Sequence, residues 1–490
     1  MKTKYILFSI VGLLALSSCS KLDENPNALL VSEQYFKNKD QAIAAVNGTY
    51  RKLYESGQSI YNGLFQIGVE MATDDYEAGP RARNAHVRAI AGLTHDASND
   101  RMEQLWKQSY DAINASNWNI DQISVLNDAV VPADLRNRLV NEAKFLRALH
   151  YFNLVRWFGD VPLVLHTTST LTNDNIQVEK SSSEEVYAQI VKDLKDAEAL
   201  PNYKSYGDSE IGRATSGAAK SLLAKVYLTQ NNWDDAKAKA KDVIDNEGYQ
   251  LFETFADVFA VDKKNGKEHI FSAQFKGNSG YQGNSLAGRS APTDIPGING
   301  DYADALHLEG GLYASYEAQD KRKEVTFTNG LVSPVDGKFY ALTKPQFHKY
   351  YDESVIGNQS QSSKNISIIR YAEVLLIFAE AENEINGVSQ QSLDAVNQVR
   401  QRAGLKALTI GEVGSKNELR ELIFEERRKE FVYEYQRWFD LVRRGPEYYI
   451  SKLKGAGKTQ AAARHIHFPT PQRELNLNKK LKQHPDWINY

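Results

Sequence analysis

One cysteine, Cys19, serves a chain of 490 residues. No disulfide can close within the chain, so its stability must come from packing, and a chain this long can bury a large core. Metal motifs are also missing. There is no His-Glu-x-x-His and no paired Cys-x-x-Cys, the arrangements by which zinc sites usually announce themselves. Of ten histidines only His465-Ile466-His467 approaches ligand spacing, and its alternation reads as a strand near the end; no metal or cofactor is expected. Gly-x-Ser-x-Gly is absent, since GNSLAG has the wrong spacing for a nucleophile elbow. The glycine-rich stretch 277–300 lacks the Lys-Ser/Thr ending of a phosphate loop. Asp74, Asp75 and Glu77 do not have the spacing of an EF-hand loop. Nothing marks out an enzyme, and the expectation is a protein that is not one.

An excess of positive charge is lacking too. Lys and Arg number 59 against 62 Asp and Glu, a net charge of −3. A nucleic-acid binder would carry a basic patch or stripe, so none is expected as a partner. The chain has no apolar run long enough to span a bilayer, which takes about 20 residues. Ile6 to Leu16 is apolar but too short, and it follows Lys2 and Lys4, as in a secretory signal. Leu16-Ser17-Ser18 then places small residues before Cys19, the pattern of a bacterial lipoprotein cleavage site. Residues 1–18 are therefore expected to be removed and Cys19 to carry acyl chains, two or more of which anchor a protein stably. Losing Lys2 and Lys4 leaves 57 basic against 62 acidic residues, a charge of −5.

What is present is mostly helix. DQAIAAVNGTYRKLYE (40–55) sets Ile43, Val46, Tyr50 and Leu53 on one face. QLWKQSYDAINASNWNIDQI (104–123) does the same with Trp106, Tyr110, Ile113 and Asn117. Residues 139–162 are apolar nearly all round, as in a helix buried between neighbours, until Gly159 and Pro162 stop it. In 218–248, Leu223, Ala224 and Tyr227 followed by Ala236, Ala240 and Val243 have the spacing of a tetratricopeptide helix pair, small residues marking where the helices cross. A looser copy lies at 370–404, with Ala379 and Ala395 either side of a long turn, NGVSQQS. Residues 186–201 resemble the second helix of another unit, ending at Pro201. Such hairpins must stack to bury their apolar faces. The charged stretches ERRKEF and RWFDLVRR belong to helices, and Glu425, Arg428 and Arg437 read as ion pairs that lock them together. Trp106, Trp157, Trp233 and Trp438 lie in or beside helical patterns and read as core.

Residues 72–101 and 273–301 break the helical period with Gly, Asn, Ser, Asp and Arg, and long loops in a compact protein are commonly functional. On such loops aromatic rings can pack on the apolar faces of a ligand while Asp, Asn and Arg satisfy its polar groups. The first loop offers Asp74, Asp75, Tyr76, Arg81 and Arg83; the second, with the residues just after it, offers Tyr281, Asn284, Arg289, Tyr302 and Tyr313.

Six stretches resemble one family in its own order: CSKLDENPN (19–27), NEAKFLRALHYFNLVRWFGDVPLV (141–164), GRATSGAAKSLLAKVYL (212–228), IIRYAEVLLIFAEAENEING with VNQVRQRAGL (368–405), IFEERRKEFVYEYQRWFDLVRRG (423–445) and HFPTPQRELNLNKKLKQHPDWINY (467–490). The chain thereby resembles the SusD/RagB family of outer-membrane glycan-binding lipoproteins. The resemblance implies a mainly α fold, a tetratricopeptide-like superhelix of helical hairpins packed with a loop-rich second region. It implies a lipid-anchored, surface-exposed place on the outer membrane and a SusC-like TonB-dependent transporter as partner, to which bound oligosaccharide is passed. The expected division is a SusD-like domain over 19–490, with helical scaffold at about 35–250 and 365–445, a variable loop-rich region at about 251–364 and a tail at 446–490. Two other readings stay open: a peptide-binding member of the family, kept alive by Arg81, Arg83 and Arg289, and a ligand-free lid of a transporter complex.

Overall fold

A computed structural model describes residues 35–168, 172, 176–278 and 283–490. Cys19 and the leader before it lie outside the described residues, as does Tyr281. The backbone of the molecule is a row of antiparallel helices: α1 (Lys39–Arg51), α2 (Asp100–Ile123), α3 (Ala133–Phe158), α4 (Ser183–Ala197), α5 (Ser216–Thr229) and α6 (Trp233–Asn246), then α7 (Tyr371–Asn386), α8 (Gln390–Arg402) and α9 (Lys416–Phe431). From α2 to α8 each helix packs on the next. This is the mainly α, tetratricopeptide-like fold that the hairpin spacing predicts. Local signals start the helices where the chain needs them. Asn38, Asn99, Thr215 and Ser415 each accept a first-turn backbone N–H, and Ser182 with Glu185 forms a full capping box.

Ala224, Ala236 and Ala240 are fully buried at the α5–α6 crossing, with Val243 beside them. The second hairpin is tighter than its sequence suggests. Ser389 caps α8 and exchanges hydrogen bonds with Ser392, which draws Gln390 and Gln391 into the helix. The turn between α7 and α8 is then Gly387–Ser389, as short as the Gln230–Asn232 link in the first hairpin. No described helix is long and apolar enough to cross a membrane.

Residues 247–370 leave the row after α6 and return to it at α7, which packs directly on α6. Two strands make this possible. β1 (His269–Ala273) and β4 (Ile366–Arg370) pair antiparallel, His269 opposite Arg370, and close the neck of the excursion. β2 (Phe327–Val332) and β3 (Phe339–Phe347) form a separate antiparallel ribbon, with Phe327 opposite Phe347 and Val332 opposite Phe339. The long loops are not wholly irregular: Ala85–Ala91 and Leu286–Arg289 are short helices inside them.

The excursion is held to the helices by buried charge. Arg322 reaches Asp320, Glu426 and Glu430; Arg370 reaches Glu268, Glu430 and Glu434; Lys349 reaches Glu434. Arg402 of α8 closes the set on Glu268 and Glu430. Burial raises the Glu430 carboxyl, but Arg402, Arg370 and Arg322 outweigh it and hold the group well below the usual range. A charged helix such as α9 can be interior only when each charge meets a partner. The tail folds back over the end of α3, where Phe468 N–H donates to Trp157 O and Trp487 Nε1 donates to the His467 carbonyl at 3.0 Å. Residues 463–466 form a 3-10 turn and not the strand expected for His465–His467, because the buried His465 ring packs against His95 and Trp487 while its Nδ1 accepts the Ala462 N–H.

Candidate functional site

The first loop divides at Glu77. Its N-terminal part is interior. Asp74 and Asp75 are 3% and 1% exposed and face α9 and α10 (Arg437–Val442). Asp74 takes a two-pronged pair from Arg437 at 2.6 and 2.9 Å. Arg428 donates to Asp75 and to the Gly310 carbonyl. Arg428 and Arg437 therefore act as the structural locks their place in the sequence suggests. Burial raises Asp74, but Arg437 and then Arg428 more than offset it and leave it well below the usual carboxylate range. Glu70 sits beside the pair with burial, then Asp75, pushing its carboxyl well above that range. Burial raises the Asp75 carboxyl as well, so three acids close to two guanidiniums favour the neutral form of a carboxyl here. Tyr76 is fully buried, stacked on Phe347 and Tyr433 with centroids 4.9 and 6.0 Å away. Asp74, Asp75 and Tyr76 are thus corrected from ligand contacts to supports, because their partners lie inside the protein.

Asn284, Arg289 and Tyr302 are corrected for the same reason. Asn284 is buried, its side chain donating to Lys364 O and accepting from Leu286 N, both at 2.8 Å. Arg289 donates to Gly63 O at 3.0 Å and lies against the Tyr302 ring at 5.5 Å. Gly63 has φ +99°, and a Cβ there would lie 2.7 Å from the Arg289 guanidinium carbon, so only glycine allows this approach. Tyr302 itself is buried with φ +62°. Glu77 marks the edge of the interior. The His307 hydrogen bond, then that of Lys344, bring its carboxyl down to about 2.

Past Glu77 the chain reaches the surface. Arg81 and Arg83 are exposed, and Arg81 pairs across the two loops with Asp294 at 2.7 Å. The ribbon β2–β3 lies next to this pair. Tyr340 and Leu342 on one face of β3 pack on Ala291, Ile295 and Ile298. The alternate position Phe339 turns outward, 63% exposed. Its cross-strand partner Val332 and Val335 in the turn are exposed as well. Ser333 Oγ donates to Pro296 O at 2.9 Å and holds the ribbon tip on the second loop. At the ribbon's other end Tyr313 opens onto a cleft of ≈ 390 Å³ lined by Lys323, Glu324, Phe327, Thr328 and Asn329. Phe327 meets the Tyr313 ring edge-on at 5.3 Å, and Asn329 Nδ2 donates to its hydroxyl at 3.2 Å. Arg81, Arg83 and Tyr313 are thus the described candidates that a ligand could reach.

Sequence reasoning missed Phe339, Val332, Val335, Asp294 and Asn329. The signal was in KFYALTKPQF (338–347), an alternating run just after the turn residues Asp336 and Gly337.

Two family models divide the chain between them. One, described as "SusD family", matches residues 273–487, and the other, "Starch-binding associating with outer membrane", matches 22–228. The SusD-like protein P2 of Formosa agariphila is 31% identical over 90% of each chain. The chain belongs to the SusD/RagB family. Among other members, the Starch-binding protein SusD of Bacteroides thetaiotaomicron is 26% identical over 99% of both chains. A SusD superfamily protein from Parabacteroides distasonis, known by crystal structure, is 26% identical and superposes with a TM-score of 0.79, covering 94% of this chain and all of its own. In this SusD/RagB chain the family match spans the ribbon as well as the helices that follow it.

Proposed function

We propose that this chain is a cell-surface lipoprotein that binds oligosaccharides or polysaccharide fragments on the face formed by residues 77–84, residues 291–304 and the ribbon β2–β3. It acts by binding and not by turnover, and it passes the glycan to a TonB-dependent outer-membrane transporter. Cys19 carries the acyl anchor that holds it at the outer membrane. One observation carries the reading: an aromatic ring, Phe339, stands in solvent on a braced ribbon beside Val332 and Val335. Exposed apolar groups clustered in this way mark interaction sites. Asp294 and Arg81 nearby, and Asn329 and Tyr313 at the ribbon's other end, supply the donors and acceptors a hydroxyl rim requires. The family model's description and the name of the starch-binding relative support a carbohydrate as the ligand. Affinity for one chain is modest, because ordering a flexible glycan offsets much of the gain from stacking.

The test is calorimetric titration of the protein against a panel of neutral, uronic and sulfated glycans, repeated with Phe339→Ala and Tyr313→Ala. A saturable heat with one glycan class, weakened in either variant, supports the proposal. No heat with any glycan but capture of a transporter barrel supports a ligand-free lid, and heat with peptides alone supports a peptide carrier.

A further inference from the structure

We propose that His467, His484 and Asp486 form a site for a divalent transition metal of the zinc class, at the seam between the C-terminal tail and the end of α3. The ligand atoms of the three residues all lie within 4.8 Å of one another. The two imidazole rings are 4.9 Å apart and tilted by 37°. His467 Nδ1 is buried and has no hydrogen-bond partner among the described residues. Leaving a buried polar atom this way is unfavourable, and an explanation for it is an unseen ion or water. His467 does not share this surrounding with His465, whose ring lies against His95 and Trp487.

The backbone holds the three residues in place. Trp487 Nε1 donates to the His467 carbonyl, which ties the 484–487 turn to the His467 segment. His484 precedes the 3-10 turn Pro485–Trp487, and Asp486 N–H approaches His484 Nδ1 at 3.3 Å. Gly159, which ends α3, makes the room. A Cβ there would lie 3.3 Å from His484 Nε2 and 3.8 Å from His467 Cδ2. His467 and His484 border an open cleft of ≈ 620 Å³, also lined by Asp160, Glu179 and Lys180, which gives an ion a way in. Asp160 adds a second negative charge nearby, its Oδ1 held by Ser183 N–H and Oγ at 2.8 Å. Lys180, Lys480 and Lys482 bring opposing charge to the same cleft, and Lys180 donates to Thr470 Oγ1 at 2.9 Å.

The donor set decides the class of ion. Two imidazole nitrogens and one carboxylate suit zinc, with water as fourth ligand, whereas calcium and magnesium take oxygen ligands. Zinc bonds of about 2.0–2.2 Å put tetrahedral ligand atoms roughly 3.3 Å apart, so the set must contract by roughly 1.5 Å. Asp486 is half exposed and can swing to supply that movement. Bound metal would join His467 to the 484–486 turn and pin the tail.

The test is titration of Zn²⁺ alone into tag-free full-length protein, followed by calorimetry, with Co²⁺ absorption as a report of geometry. The expected result is one equivalent per chain, a tetrahedral Co²⁺ spectrum, and a loss of more than tenfold in Zn²⁺ affinity in Asp486→Asn and in His484→Ala. Asp486 is on the surface, so its variant should fold, and His166→Ala at an exposed histidine elsewhere should bind as the parent does. Absence of a one-to-one Zn²⁺ heat, or affinity within twofold of the parent in both ligand variants, would overturn the proposal. So would equal binding of Ca²⁺.

Discussion

Replacing Asp74 by asparagine tests how the first surface loop is held. Asp74 gives Arg437 a bidentate pair at 2.6 and 2.9 Å in a site where both side chains are about 4% exposed. Removing one partner of such a pair leaves a buried charge uncompensated, at a cost of about 3–5 kcal/mol. Little remains to soften it: the next carboxylate, Asp75 Oδ2, is 3.7 Å from Arg437 Nε, and Arg437 Nη1 already has no acceptor among the described residues. Asp75→Asn should cost less, about 1.5–3 kcal/mol, the worth of hydrogen bonds to a charged group. Arg428 would keep the Gly310 carbonyl at 2.7 Å, Glu425 at 3.3 Å and Asp74 at 3.6 Å. Glu70→Gln is the contrast. Burial and then Asp75 raise the Glu70 carboxyl in the fold, whereas the unfolded chain ionises it above its ordinary pKa of about 4.3. A raised folded pKa gives stability that is present at low pH and lost as pH rises, so Glu70→Gln should be neutral at pH 4 and neutral or stabilising at pH 7. Urea unfolding followed by tryptophan fluorescence measures all three. Trypsin cleavage after Arg81 and Arg83 in native buffer reports the loop itself, and it should quicken most in Asp74→Asn. The reasoning fails if Asp74→Asn unfolds within 1 kcal/mol of the parent, or if Glu70→Gln costs as much.

Three further outcomes follow from other parts of the structure. His150 is fully buried on α3 with both ring nitrogens unpartnered among the described residues, and burial brings its pKa down to about 3. The unfolded chain takes up a proton below about 6.5 that the fold refuses, so stability falls as pH drops; at pH 5 the loss is about 2 kcal/mol, and His150→Leu should remove that much of the pH 7 to pH 5 difference in urea unfolding. Ala240 lies where α5 and α6 cross with no exposed surface, so Ala240→Phe should overpack the hairpin and lower stability by about 1–3 kcal/mol, read from the urea midpoint. Glu430→Gln weakens contacts to Arg402, Arg370 and Arg322 at once and should cost about 3–5 kcal/mol at pH 7. Its depressed pKa gives stability present above about 4.3, so the difference from the parent should shrink only as pH falls below that value.

The helical row was legible because its signals are local. Ala224, Ala236 and Ala240 announce a close crossing within one short segment, and the caps stand next to the helices they start. The α7–α8 turn was misjudged only in length, since Ser389 and Ser392 draw part of the apparent loop into the helix. The candidate site was harder to read. Asp74 and Asp75 look like solvated loop acids until Arg437 and Arg428, far along the chain, arrive beside them. Their charge identifies them as either surface or paired, and only the fold chooses. Arg289 was misplaced for the same reason, since its partner Gly63 is distant in sequence, and Tyr302 is buried beside it. Phe339 shows the opposite failure: an aromatic residue in an alternating run is ordinarily taken for core, yet its register on β3 turns it outward.

The most direct test of the proposed role is glycan affinity measured on the parent and on Phe339→Ala. Phe339 is exposed, so the substitution should move stability by no more than about 0.5 kcal/mol. Loss of a stacked ring is expected to weaken the best glycan of the panel by about 1 kcal/mol or more, about fivefold or greater. Unchanged affinity for that glycan in a double variant lacking both Phe339 and Tyr313 would place the binding face elsewhere on the molecule.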